Sequence, residues 1–157
     1  MKILLIAVGK TELSSVSKLC EDYFTRIKRY INFEFKIIKD IKTTAKTKEI
    51  IQKKLEGEKI LAELSPSDFV IVLDEKAKEF TSREFSLFIE KQMNISTKNL
   101  VFVIGGAFGF SQEVYDRANF KISLSQMTFS HQIIRLIFAE QLYRAFTIIN
   151  NDPYHHD

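Results

Sequence analysis

The sequence predicts a single α/β domain built on a mainly parallel sheet that helices cover on both faces. Short apolar runs rich in β-branched residues alternate with segments of helical period along the chain, and this alternation is typical of parallel sheets. The runs lack alternating polar residues, as expected of strands buried on both sides. No linker, repeat or low-complexity stretch divides the chain, so residues 1–157 are interpreted as one domain.

The five predicted strands cover residues 3–8, 33–38, 69–73, 100–104 and 120–124. In the first predicted helix, apolar residues recur at the three-and-four spacing that places them on one side. They are Val16, Leu19, Cys20, Tyr23, Phe24 and Ile27. The second helix is predicted over residues 46–64, again from the spacing of its isoleucines and leucines.

Local capping signals place the next two helices. Thr81 followed three residues later by Glu84 is a capping box, which opens a short helix. Ser111 is expected to cap a fourth helix, with Glu113 in a first turn where the helix dipole favours an acid.

The fifth helix, predicted over residues 131–150, is apolar around its whole circumference. Its polar members scatter instead of forming one face; they are His131, Gln132, Arg135, Glu140, Gln141 and Arg144. Such a helix is normally buried on several sides, and in a small domain a second copy of the protein can supply that cover. The pattern therefore predicts a homodimer, with burial inside one chain as the alternative.

The composition indicates a soluble cytoplasmic protein. The formal net charge is +3, an excess that permits contact with nucleic acid without requiring it. Cys20 is the single cysteine, so no intramolecular disulfide is possible and a reducing compartment is favoured. No apolar run approaches the ~20 residues of a membrane span, and no cleavable signal is predicted.

Three of the five glycines lie close together directly after the fourth predicted strand, at Gly105, Gly106 and Gly109. Glycines there allow a tight turn and a close approach of the backbone to a ligand, and open α/β sheets bind ligands at this edge. A dinucleotide fingerprint would have glycine at Ile104, which disfavours NAD binding.

Residues 124–129 place apolar side chains and hydroxyls between a strand and a helix start. Two interpretations stay open: a loop that wraps a flat aromatic ring, or a plain connection in which Thr128 or Ser130 caps the next helix. The adjacent His155 and His156 would point apart in an extended tail, and a metal site is disfavoured. No nucleophile lies beside a base.

Three segments together carry a family pattern. They are Val103-Ile104-Gly105-Gly106-x-x-Gly109, then Leu124-Ser125-x-Met127-Thr128-x-x-His131-Gln132-x-x-Arg135, and finally Glu140-Gln141-Leu142-Tyr143-Arg144-Ala145 with the closing Pro153-Tyr154-His155. The chain resembles the RlmH family of the SPOUT superfamily along its whole length. Members of that family are methyltransferases that act on N3 of a pseudouridine in large-subunit (23S) ribosomal RNA.

The resemblance implies a C-terminal trefoil knot, a homodimer, and S-adenosylmethionine as the cofactor. Carried over by position, the cofactor contacts are Leu73, Gly105, Leu124, Ser125, Gln126, Met127, Thr128 and Phe129. The substrate side comprises Arg135, Tyr143, Arg144, Tyr154 and His155, combined from both subunits.

Methyl transfer to an imide nitrogen requires that its proton leave. His155 is assigned as the base, and Arg135 or Arg144 as the group that stabilises the anion. Arg135→Ala is then expected to lower turnover and to leave cofactor affinity nearly intact. The assembled ribosome is the expected substrate, in preference to naked RNA. Two alternatives are a non-catalytic ribosome- or RNA-binding protein of the same fold and a nucleotide-binding oxidoreductase.

Overall fold

The computed structural model describes residues 1–39, 41 and 49–154. Its strands are β1 (Lys2–Val8), β2 (Asn32–Ile38), β3 (Phe69–Leu73), β4 (Asn99–Ile104) and β5 (Phe120–Ile122). Its helices are α1 (Ser14–Ile27), α2 (Glu49–Ala62), α3 (Ser82–Asn94), α4 (Gln112–Arg117) and α5 (Ile133–Ile149). The strands form one sheet in the order β2-β1-β4-β3-β5, with every pair parallel. The predicted α/β class is confirmed.

The sheet is covered on both faces, as its uninterrupted apolar strands predict. On one face, α1, α3 and α5 pack against alternate strand residues, with Phe102 at the centre against Phe138 at 4.8 Å between ring centroids. On the other face, α2 and α4 pack through Ile60 and Val114 against β3 and β4. Consecutive helices therefore lie on opposite faces, and all five parallel strands end at one edge of the sheet.

Most predicted bounds agree with the structure to within two residues, but two details differ. The last strand ends at Ile122, two residues earlier than predicted. A turn begins at Ser123, whose hydroxyl accepts a hydrogen bond from Ser125 N at 3.2 Å. Thr81 caps α3 in the predicted capping box with Glu84, whereas Ser111 stands at the start of α4 without a side-chain cap bond. The predicted start of α2 lies outside the described residues.

The fifth helix has no exposed face. Every residue of α5 is buried or half-buried in the single chain, because α1 and α3 flank it on the sheet. Ser130 supports its first turn, since its hydroxyl accepts a bond from Ile133 N at 3.3 Å. Gln132 Oε1 in turn accepts from the backbone N–H groups of Glu12 and Leu13, which joins the starts of α5 and α1.

None of the helices in the described part of the chain is long and apolar enough to cross a bilayer.

Candidate functional site

A cavity of about 620 Å³ opens at the edge of the sheet where the strands end. Its walls come from the residues that follow β3, β4 and β5, together with the start of α5. Small-molecule sites in open α/β sheets form at this edge, and this volume lies within their usual range. The topology therefore supplies a ligand-sized pocket at the place that the glycine pattern predicts.

The glycine segment forms one wall as a tight turn. Gly109 N donates to Gly106 O at 3.1 Å, and Gly109 adopts φ +79°, a conformation that favours glycine. A Cβ on Gly105 would lie 3.2 Å from the ring of Phe110. The turn is thus packed tightly enough that added side-chain atoms must move the wall.

The loop after β5 forms the opposite wall, and its backbone is held from both sides. Met127 N donates to Ser125 Oγ at 3.0 Å. Gln126 donates from its backbone and from its side chain to the carboxylate of Glu79, at 2.9 and 3.1 Å. Thr128 Oγ1 donates to Glu75 at 2.6 Å. Side chains from the β3 end of the sheet therefore set the shape of this loop.

The lining combines exposed apolar groups with carboxylates. Met127 is 72% exposed, Phe108 42% and Phe129 37%, so large apolar surfaces face the cavity instead of the core. Asp74, directly after β3, accepts a hydrogen bond from the hydroxyl of Tyr115 at 2.7 Å. Burial, more than this bond, raises the pKa of Tyr115 above its usual value.

Seven of the eight predicted cofactor residues line this one cavity; they are Leu73, Gly105, Leu124, Ser125, Met127, Thr128 and Phe129. Gln126 is absent from the lining and bonds to Glu79. Sequence reasoning missed Asp74, Phe110 and Tyr115. A signal existed for Asp74, because it directly follows a buried strand at the ligand-binding edge.

The predicted substrate-side residues Tyr143, Arg144 and Tyr154 form a second cluster, on the C-terminal half of α5. The Tyr154 hydroxyl donates to Glu140 at 3.2 Å, and its ring lies 4.9 Å beneath the Arg144 guanidinium. The ring of Tyr143 meets Tyr154 edge-on at 4.8 Å. These contacts hold the described end of the tail against the helix.

Arg144 is a cation of this cluster, and Arg26 lies over the Tyr143 ring at 5.7 Å. Arg144 Nε and Nη2 donate to Glu140 Oε1 at 3.0 and 2.5 Å. These hydrogen bonds raise the pKa of the guanidinium further above its usual value, more than burial lowers it. Arg144 is therefore a permanent, half-exposed positive charge beside aromatic rings.

A second anchor holds the tail at Asp152, two residues before Tyr154. The hydroxyl of Tyr30 donates to Asp152 Oδ2 at 2.5 Å, and Asp152 N donates to Thr147 O at 2.9 Å. The bond to Asp152, followed by burial, raises the pKa of Tyr30 to about 12. Because this value exceeds the roughly 10 of an unfolded tyrosine, the bond contributes stability below about pH 10 and loses it as the pH rises through about 12.

Tyr30→Phe is expected to lower the free energy of unfolding at pH 8 by about 1 kcal/mol or less, since one partly exposed hydrogen bond is lost. The difference from the wild type should shrink as the pH rises from 10 to about 12. Urea denaturation followed by circular dichroism at a series of pH values measures it. A difference that stays constant over this range would contradict the assignment to the Tyr30–Asp152 bond.

Arg135, predicted at the substrate side, lies in the interior. Its side chain is fully buried, with Nη2 donating to Val8 O at 2.6 Å and Nη1 to Thr11 Oγ1 at 2.8 Å. It is absent from the cavity lining. Desolvation lowers the pKa of its guanidinium from the usual value. Its direct contact with a substrate stays a prediction, and these bonds favour a positioning role that ties α5 to the end of β1.

Arg135→Met is expected to destabilise the protein by about 2–4 kcal/mol, because it leaves the Val8 carbonyl without this buried donor. Cofactor affinity should fall along with stability, in contrast to the separate effects expected from the sequence. Urea denaturation and calorimetry measure the two quantities, with the exposed Arg29→Met as a control. If Arg135→Met kept its stability but turned over more slowly, the result would support a catalytic role for Arg135.

The three histidines divide between the pocket and the tail. His131 lines the cavity at the start of α5. His155 and His156 lie outside the described residues. Within residues 1–39, 41 and 49–154, no group of three or more potential metal ligands comes together.

Comparison with known proteins accounts for this arrangement. A family model described as "Predicted SPOUT methyltransferase" matches residues 1–155. The chain belongs to this family. The residues matched by the SPOUT methyltransferase model include the glycine turn, the loop after β5 and the tail cluster.

Individual SPOUT methyltransferase relatives match over their full lengths. A protein of Christiangramia forsetii named "Ribosomal RNA large subunit methyltransferase H" is 55% identical over 156 residues, covering 99% of both chains. The protein of the same name from Parabacteroides distasonis is 54% identical over 157 residues, covering 100% of both. One from Flavobacterium psychrophilum is 53% identical and again covers 99% of both. The family resemblance inferred from the sequence is confirmed.

Proposed function

We propose that the protein transfers the methyl group of S-adenosylmethionine to N3 of a pseudouridine in large-subunit ribosomal RNA. One observation carries the proposal: in a SPOUT methyltransferase chain, seven of the eight residues expected to hold the donor line a single cavity of about 620 Å³. The names of the relatives supply the substrate class. A trefoil knot, expected of the family, belongs to the same proposal.

The lining fits a nucleoside that bears a sulfonium. Exposed side chains of Met127 and Phe129 offer apolar surface for an adenine ring, and the glycine turn lets the backbone approach the ligand closely. Asp74 places a carboxylate at the same edge, where a cationic group would be attracted. When bound, the donor supplies an electrophilic methyl group, and the task of this chain is to hold it in line with the attacking nitrogen.

The tail cluster fits the acceptor base. An aromatic ring such as Tyr154 can stack on a base, and the Arg144 guanidinium can stabilise the negative charge that develops when N3 loses its proton. His155, which directly follows Tyr154 in the chain, is the proposed acceptor of that proton. Tyr30 and Glu140 then serve as positioning residues, since they hold Asp152 and Tyr154 against α5.

The two halves of the site lie far apart in one chain, which supports a homodimer. Ile134 lines the cavity and Arg144 belongs to the tail cluster, ten residues further along the same helix. At the rise of an α-helix this separation is about 15 Å, well beyond the ~3–3.5 Å of a reactive approach. We propose that the tail cluster of one subunit completes the pocket of the other.

The proposed substrate is the assembled ribosome in the cytoplasm. A net charge of +3 over 157 residues offers little sequence-independent attraction for free RNA. Recognition is then expected to depend on the shape of the assembled particle, with the tail cluster reading the exposed base.

Methylation of purified large subunits tests the proposal. Subunits from cells that lack this protein are incubated with the protein and S-adenosylmethionine, and nuclease fragments of the RNA are analysed by mass spectrometry. We expect one additional methyl group on a pseudouridine, and much lower yield on a short isolated stem-loop. Binding to ribosomes and to the donor without methyl incorporation would favour the non-catalytic alternative, and failure to bind the donor would refute the proposed cofactor.

A further inference from the structure

A buried carboxylate lies directly behind the glycine turn of the pocket. Glu56 on α2 is only 2% exposed. Its Oε1 accepts a hydrogen bond from Gln52 Nε2 at 2.9 Å, whereas Oε2 has no hydrogen-bond partner among the described residues. Burying a carboxylate oxygen without a donor is costly, so this position is unfavourable for folding alone.

The unpaired oxygen points at a residue of the cavity wall. A Cβ placed on Gly106 would lie 2.5 Å from Glu56 Oε2, and Gly106 lines the cavity. Only a residue without a side chain allows the carboxylate to come this close. The backbone of the turn therefore separates the Glu56 carboxyl group from the inside of the pocket.

The other charged groups in the described part of the wall offer the Glu56 carboxyl group little compensation. Lys53 is paired with Glu49 at 3.0 Å. Glu75 and Lys76 have opposite signs and are both exposed, so water screens them. Asp74 is half-buried and accepts bonds from the Tyr115 hydroxyl and the Lys76 backbone N–H, both neutral donors, so it adds a second carboxylate. Among the described residues, Glu56 and Asp74 therefore place two carboxyl groups at this wall, and the half-buried Lys53 is held by Glu49.

We propose that Glu56 makes this pocket favour the cationic methyl donor over its neutral by-product. The inference rests on the proposed function. In that reaction the S–CH₃ bond breaks and its electron pair stays on sulfur, while the N3 lone pair forms the new N–CH₃ bond and the N3 proton passes to the base. The sulfonium becomes a neutral thioether, so its attraction to Glu56 ends with the transfer. Attraction between opposite charges is stronger across a poorly solvated wall than through water, and its loss promotes release of S-adenosylhomocysteine.

Isothermal titration calorimetry of Glu56→Gln tests the inference. The quantity measured is the ratio of the Kd for S-adenosylhomocysteine to the Kd for S-adenosylmethionine. The substitution keeps the shape of the side chain and removes its charge, so we expect the ratio to fall about five- to tenfold relative to the wild type. The control is Glu58→Gln, an exposed position on the same helix, which should change the ratio less than about twofold.

Other results distinguish a failure of this inference from a failure of the proposed function. Equal weakening of both ligands in a folded Glu56→Gln protein would show that Glu56 only supports the wall, and would overturn the inference. A wild type that binds neither ligand would refute the proposed function itself. If Glu56→Gln shows no cooperative melting, Glu56→Asp is the second test. It moves the carboxylate back by one methylene, which should lower the ratio of the two Kd values about twofold. An unchanged ratio would overturn the inference.

Discussion

Gly105→Val is expected to weaken the binding of S-adenosylmethionine by about 10- to 100-fold, corresponding to the cost of overpacking a tight contact. The Cβ alone would lie 3.2 Å from the Phe110 ring and 3.4 Å from the backbone of Gly109. The two further methyl groups of valine must displace one of these neighbours, and both line the cavity. Calorimetric titration of the purified variant measures the loss.

The matched control is Gly105→Ala. It adds only the Cβ, which a shift of a few tenths of an ångström at Phe110 can accommodate, so its affinity should stay within about threefold of the wild type. A large loss of affinity from the alanine to the valine variant indicates that the wall is tightly packed at Gly105. Equal affinities of the valine variant and the wild type would remove Gly105 from the binding site.

Arg144→Ala is expected to lower kcat for ribosome methylation by about 100- to 1000-fold, as is usual when a donor that stabilises a developing anion is removed. Affinity for S-adenosylmethionine should change less than about twofold, because the proposal assigns Arg144 to the acceptor base and it does not line the cavity of its own chain. Single-turnover methylation of purified large subunits measures the rate, and calorimetry measures the affinity.

Arg144→Lys separates charge from geometry at this position. Lysine keeps the positive charge but lacks the planar fork that bonds Glu140 and lies over Tyr154. We expect an intermediate rate for it. If both variants instead bind S-adenosylmethionine more weakly and melt at a lower temperature, the Arg144–Glu140 pair has a structural role and the catalytic assignment is wrong.

Local patterns in the sequence were sufficient to predict the framework of the pocket. The apolar runs that became β3 and β4 end within a residue of their predicted limits, since buried parallel strands need uninterrupted apolar side chains. The glycines after β4 and the loop from Leu124 lie at the ligand-binding edge because parallel strands all end there. The capping box at Thr81 was equally predictable, since its two bonds are local.

The roles of isolated polar residues could not be predicted in the same way. Arg135 and Arg144 occupy the same helix and carry the same charge, yet one is fully buried against Val8 and the other is half-exposed beside Tyr154. Helical spacing places a residue on a face of its helix but does not say what covers that face. For the same reason, no pattern in the sequence indicated that Glu56 would lie against Gly106.

The α/β class, the order of the elements and the family follow from the amino-acid sequence alone, because apolar runs, helix periodicity and the quoted motifs are patterns of residues that lie close together in the chain. The folded structure was needed to establish which charges are buried, which side chains share the cavity, and how far the tail cluster lies from it. Those features depend on contacts between residues distant in the chain, such as Arg135 with Val8 and Glu56 with Gly106. Such contacts are set by how the helices pack on the two faces of the sheet.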